Sequence, residues 1–220
     1  MSLTIIGDVH GKFTEYSQLL RKLHAKDHAL TTIQLGDLGI GFPKQTPKIL
    51  VFPEKSKFFR GNHDAPIAAR NHPNYLGDYG SLNIDGHNIF YVGRAWSIDQ
   101  AFRKAGVSWW PEEELTAEEL TDAFNAYVEA KPDIMITHDG PSQATAYILN
   151  QYSVFDGEQG VISTRTGRAL SDMFSAHQPK LWVFGHWHRD WIKNIRGTKF
   201  VCLNELSHAR VEDLLLPERN

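Results

Sequence analysis

The sequence predicts an α/β protein with more than one sheet, on two features of its hydrophobic pattern. Short apolar runs alternate with a helix-spaced stretch early in the chain, whereas paired runs separated by turn residues dominate the middle and the end. A length of 220 residues suits one domain with a substantial core, expected to span residues 1–220. No repeat, low-complexity tract or linker divides it.

The elements follow in order. Leu3 to Ile6 reads as a short buried strand. Phe13, Tyr16, Leu19, Leu20 and Leu23 recur at helical spacing. Ala29 to Leu35 is the next strand, and Gly39, Gly41, Pro43 and Pro47 mark a loop. Ile49 to Phe52 and Lys57 to Phe59 are expected as short strands, with residues 64–80 irregular. Ser81 to Ile84 and Asn88 to Val92 flank Asp85-Gly86-His87, and an Asp-Gly pair between apolar runs signals a hairpin. Thr116-Ala117-Glu118-Glu119 forms a capping-box pattern, predicting a helix to about Ala130. Asp133 to Thr137 is a strand, Arg168 to His177 a helix and Leu181 to Phe184 a strand. Trp191–Ile195 and Lys199–Leu203 flank an Arg196-Gly197 turn, and Val211 to Leu216 is expected as a last strand.

Residues that can hold metals recur just after these apolar runs. Gly7-Asp8-Val9-His10-Gly11, Gly36-Asp37, Gly61-Asn62-His63-Asp64, Thr137-His138-Asp139 and Gly185-His186-Trp187-His188 are all rich in Asp, His or Asn. On an extended segment residues i and i+2 point the same way, so Asp8 with His10, and His186 with His188, can each reach one ion. The neighbouring glycines permit sharp turns and close backbone approach. Several strands thus deliver oxygen and nitrogen ligands to one place, as a two-metal hydrolytic site requires, with its ions about 3.5–4 Å apart. A shared carboxylate would bridge the ions. One histidine should stay unligated to protonate a leaving group, and His63 fits, because Asn62 before it can bind metal through its carbonyl. Manganese, iron and zinc all suit such a mixture of carboxylate and imidazole.

Composition narrows the function. A formal net charge of -3 argues against broad attraction to nucleic acid or anionic membrane, leaving nucleic acid a place only as substrate. The one cysteine, Cys202, excludes an intramolecular disulfide and fits a reducing compartment. It is expected as a buried structural thiol. With no leader pattern and no apolar run near 20 residues, the expected location is the cytoplasm.

Taken in order, the five motifs resemble those of the calcineurin-like metallophosphoesterases, and they span most of the chain. That resemblance implies a four-layer αββα sandwich, two mixed sheets flanked by helices, with the site at strand ends on one rim. It implies that Asp8, His10, Asp37 and His188 hold one metal. Asp37, Asn62, His138 and His186 would hold the other, with Asp37 bridging. Two divalent or transition metal ions are expected, manganese first, with iron or zinc as alternatives. His63 would be the general acid, and Asn62 would also touch the substrate phosphate. The implied reaction is hydrolysis of a phosphate ester by attack of metal-bound hydroxide. A phosphomonoesterase is favoured by the Arg60-Gly61-Asn62-His63 form of the third motif. A phosphodiesterase acting on cyclic nucleotides or nucleic acid ends is the alternative.

Departures from the family pattern bear on the substrate. Protein phosphatases of this superfamily carry an Asp-Arg-Gly soon after the second motif, supplying a phosphate-gripping Arg and an Asp that orients the catalytic His. Here the run is Gly36-Asp37-Leu38-Gly39-Ile40-Gly41-Phe42. Asp64 and Asp139 are candidates to orient His63, and Arg60, Arg94, Arg165 and Arg168 are candidate anion contacts. The segment Trp96 to Trp110, with Asp99 and Arg103, could line a cleft, although Trp109-Trp110-Pro111 is expected to pack on the core. A His-Asp phosphohydrolase would be all-helical, against the strand-like runs before these pairs. A non-enzymatic scaffold is disfavoured because every ligand position is filled.

Overall fold

Two packed sheets with helices on both outer faces organise the chain, in a computed structural model that describes residues 2–41, 46–47, 50–152 and 164–216. All four residues of β1 (Leu3–Ile6) are buried. Helix α1 (Phe13–Lys26) turns Phe13, Tyr16 and Leu20 to the core. Next come β2 (Thr31–Gln34), β3 (Ser56–Phe58) and α2 (Pro66–Arg70), whose first residue is a proline preset for a first helical turn. Strands β4 (Tyr79–Ile84) and β5 (His87–Val92) form the expected hairpin, with Asp85 and Gly86 at φ 56° and 80°. Helix α3 (Ala117–Ala130) carries both hydrogen bonds of the capping box. Strand β6 (Ile134–Thr137) and helices α4 (Ser142–Tyr152) and α5 (Arg165–Ala176) precede β7 (Leu181–Phe184). The chain then forms β8 (Trp191–Ile195), β9 (Thr198–Cys202), β10 (His208–Arg210) and α6 (Val211–Leu215).

Among the described residues one sheet has the order β10-β1-β2-β3 and the other β4-β5-β6-β7-β9-β8. β1, β2 and β3 are parallel, as are β5, β6, β7 and β9; β10, β4 and β8 join antiparallel. Both sheets are therefore mixed. The two-residue period of a strand sorts their side chains. Ile5, Ile33, Ile134, Ile136, Leu181 and Val183 pack between the sheets. Ile6 and Phe58 face Phe13, Tyr16 and Ala69 of α1 and α2. Met135, Trp182 and Phe200 face Tyr127, Ile148 and Phe174 of α3, α4 and α5. The result is the expected four layers. None of the described helices is long and apolar enough to cross a membrane.

Several local expectations are corrected. Val211–Leu215 is a helix, not a strand. The strand there is β10, just before it, and Val211 and Leu214 bury three apart on one helical face, with Glu212 and Asp213 favourably placed in the first turn. Leu50 to Phe52 is not a strand, while Pro43 and Ile49 lie outside the described residues. Residues 64–80 hold α2 and the start of β4. Helix α4 was not foreseen, although Ala144 and Ile148 sit four apart and both are buried. Trp109 and Trp110 stay half-buried on their loop and do not join the core.

Candidate metal centre

Five strands, β1, β2, β3, β6 and β7, each lead into a candidate residue just past their C-terminal ends. The first three belong to one sheet and the last two to the other, so the centre straddles the inter-sheet boundary. The backbone there is strained. His10, Asp37, His186 and His188 have φ of 48°, 55°, 66° and 50°, a conformation that costs side-chain-bearing residues on the order of 1–3 kcal/mol each. Hydrogen bonds hold the turns: the amides of Val9 and His10 both donate to the Asp37 carbonyl, at 3.0 and 2.8 Å. Two glycines make room. A Cβ on Gly185 would collide with Asp8 Oδ1, and one on Gly61 with Asp37 Oδ1 and His138 Nε2.

Donor atoms of Asp8, His10, Asp37 and His188 lie within 4.8 Å of one another, and those of Asp37, His138 and His186 form a second such set. Asn62 joins the second, its Oδ1 3.0 Å from His138 Nε2. All seven residues proposed from sequence as ligands are thus brought together.

Hydrogen-bond chemistry shows that the cluster fits a cation. His138 Nδ1 lies 2.8 Å from the Leu35 carbonyl, which can only accept. Nδ1 therefore carries the proton, and Nε2 points at two further oxygens, Asn62 Oδ1 and, at 3.3 Å, Asp37 Oδ1. Asn62 donates through Nδ2 to Ser97 Oγ at 2.9 Å, and that hydroxyl donates to Glu113, so the Asn62 carbonyl must face the centre. In the other set, His10 Nε2 and His188 Nε2 face each other at 2.8 Å, with Asp8 Oδ2 3.6 and 3.1 Å away. Acceptors outnumber donors, and a positive charge resolves the deficit.

The titration directions agree. Burial opposes charge on Asp37, but the His138 and His63 imidazoles outweigh it and hold its carboxyl well below the usual range. Burial likewise opposes charge on Asp8, yet bonds from His10 and His188 bring it to about 2. Burial would lower His138, but Asp37 raises it to about 10. The direction at His138 favours a proton on the imidazole that a metal would claim, and metal binding would release it.

His63 is set apart. Its amide donates to Asp37 Oδ1 at 2.6 Å, and its ring packs edge-on against His10 with centroids 5.0 Å apart. Burial pushes its imidazole down to about 4, with Asp37 opposing and Arg103 reinforcing. The candidates to orient it are engaged elsewhere. Asp64 accepts from the amides of Leu38, Gly39, Ile40 and Gly61, clamping the Asp37 loop to the Asn62 loop. Asp139 Oδ1 accepts from the Gly140 amide at 2.7 Å and from Trp187 Nε1 at 2.9 Å. The side chain against His63 Nε2 is instead Arg103. Arg60 and Arg94 are buried in ion pairs with Asp78, and Arg165 reaches Glu114 at 3.7 Å. Beside the centre lies a cavity of about 360 Å³, whose walls include Asn62, His63, Trp96, Ile148, Leu149 and Trp187. Sequence spacing could not flag Ser97, Glu113 or Trp187, whose partners are distant in the chain.

Fold and site define a metal-dependent phosphoester hydrolase. The sequence model for calcineurin-like phosphoesterases matches residues 1–190, and the chain belongs to that family. Among curated proteins, none matches it in sequence. Among solved structures it is similar to phosphopantetheinyl hydrolase from Mycobacterium tuberculosis, at 12% identity and TM-score 0.56, over 93% of this chain and 89% of that one. It is also similar to a Staphylococcus aureus protein described as a candidate 5'-nucleotidase, at 15% identity and TM-score 0.54, over 95% of this chain and 50% of that one.

Proposed function

We propose that this chain is a two-metal phosphoesterase that cleaves phosphate monoesters. One observation carries the two-metal reading: Asp37 belongs to both donor sets. Asp8, His10, Asp37 and His188 would hold one ion, and Asp37, Asn62, His138 and His186 the other. Two divalent ions, manganese first among them, would supply charge to neutralise phosphate oxygens and would lower the pKa of water at the site.

The protein's own groups do the rest. Asp8 and Asp37 keep their charge despite burial. Asn62, fixed through Ser97, presents its carbonyl to the centre and stands beside the phosphate position. His63, next to the shared carboxylate, is the proposed proton donor to the leaving-group oxygen. The charge of a bound phosphate would raise its imidazole from the low value that burial gives it in the free protein. Arg60 no longer speaks for a monoester, since it is buried against Asp78. Support comes instead from Arg103, which places a cation beside His63.

The test is turnover of an aryl phosphate monoester by the manganese-loaded protein, with the bis-aryl diester alongside. His63→Ala is expected to lower kcat by about 10²- to 10⁴-fold, the usual worth of a positioned acid. A diester cleaved faster than the monoester would favour the phosphodiesterase alternative. Wild-type turnover by His63→Ala would remove His63 from the reaction.

A further inference from the structure

The loop between β5 and α3 contains none of the family motifs, yet it reaches into the centre at two points. Ser97 Oγ accepts from Asn62 Nδ2 at 2.9 Å and donates to Glu113 Oε2. Glu113 Oε1 accepts from Arg103 Nη1 at 3.0 Å, and Arg103 Nη2 meets His63 Nε2. Asn62, Ser97, Glu113, Arg103 and His63 therefore form one continuous circuit that begins and ends on adjacent residues of the third motif. Its members are well shielded: Glu113 is 5% exposed and the Arg103 side chain 7%.

We propose that Arg103 is a substrate-binding residue that grips the phosphate beside His63, and that Glu113 and Ser97 position it together with Asn62. The proposal rests on the phosphoesterase reading above and supplies the anion contact that the run after Asp37 lacks. A guanidinium is a fixed fork of N–H donors suited to phosphate. In Arg103 that fork is pinned. Nη1 holds Glu113 and, at 3.4 Å, the Ser108 carbonyl; Nη2 holds Asp99 Oδ1 at 2.8 Å. Its remaining contact is to an imidazole nitrogen, which offers the guanidinium no negative charge. A phosphate oxygen in the same place would offer a full charge. The two carboxylates do not cancel the guanidinium. Asp99 is 47% exposed and screened by solvent. Burial pushes Glu113 up to about 7, although Ser97 and Arg103 oppose it. The cavity beside the centre is lined by Asn62 and His63, which this loop contacts, and by Trp96, Ile98 and Asp99 of the loop itself.

A monoester dianion carries more charge to Arg103 than a diester monoanion, so the residue should favour monoesters. The experiment uses the metal-loaded protein and its Arg103→Gln, Arg103→Lys and Glu113→Gln variants. It measures calorimetric binding of inorganic phosphate, KM and kcat on an aryl monoester and its bis-aryl diester, metal content and Tm. Arg103→Gln is expected to weaken phosphate binding and raise the monoester KM on the order of 10- to 100-fold, the worth of a charged hydrogen bond. The diester KM should move much less and metal content should stay unchanged, while Tm falls because Glu113 loses its buried partner. Arg103→Lys should recover part of the loss, and Glu113→Gln should shift phosphate affinity the same way by less. Wild-type phosphate affinity in Arg103→Gln overturns the proposal, as does a loss confined to Tm or metal content. If Arg103→Gln does not fold, wild-type affinity in Glu113→Gln overturns it. Arg103-dependent phosphate binding by a protein that cleaves neither ester supports Arg103 and sinks the monoesterase reading. Ester cleavage with Arg103-independent phosphate binding does the reverse.

Discussion

Asp78→Asn tests how the third motif is supported from behind. Asp78 accepts from Arg60 Nε at 3.0 Å and Nη2 at 3.2 Å, from Arg94 Nη2 and from the Tyr75 hydroxyl. Arg60 and Arg94 are 1% and 2% exposed, and Arg60 directly precedes Gly61-Asn62-His63. Removing one partner of a buried pair typically costs 3–5 kcal/mol, because the remaining charge is stranded. Arg94 keeps Glu119 at 3.1 Å, so the low end, about 3 kcal/mol, is expected. For a chain of this length that corresponds to a Tm lowered by roughly 6–12 °C. The pH dependence has a definite sign. Burial opposes the charge on Asp78, but Arg94 and Arg60 outweigh it and depress its pKa. Its stabilisation is therefore complete above the unfolded value near 4 and is lost as pH falls below that toward the folded value. Urea unfolding from pH 8 to pH 5 should show a constant gap between wild type and variant, narrowing below about pH 4. A gap under about 1 kcal/mol at pH 7, or one that widens in acid, refutes this account of the ion-pair hub.

Three further outcomes are expected. Gly185→Ala, whose Cβ would strike Asp8 Oδ1, should weaken manganese binding by about 10- to 100-fold, as displaced ligand supports do, and unchanged binding in calorimetry would contradict the packing. Thr116→Ala removes the cap that accepts from the Glu119 amide at 3.1 Å and should cost about 1 kcal/mol in urea unfolding, with no change counting against it. Cys202 is 1% exposed and burial raises its thiol pKa strongly, so thiol reagents should label it only after unfolding; rapid labelling of the native protein would contradict its placement.

The ligand motifs were legible because each is local: an apolar run, a glycine, then Asp, His or Asn. The layered fold was legible for the same reason, since Ile134 to Thr137 or Leu181 to Phe184 reads as a buried strand in isolation. What escaped depends on residues far apart. Arg103 meets His63 across forty positions, and Trp187 meets Asp139 across forty-eight. Val211–Leu215 is too short for periodicity to separate helix from strand, and only the pairing of β10 with β1 places the boundary. Arg60 had the right sequence context for a phosphate contact and the wrong direction, because Asp78 holds it behind the third motif.

Calorimetric titration of manganese into the metal-free protein, with Asp37→Asn in parallel, tests the shared-carboxylate centre most directly. Two ions per wild-type chain, and weakened binding at both positions in the variant, are the predicted result. One ion or none per wild-type chain, or an Asp37→Asn protein that takes up two with unchanged affinity, would contradict it.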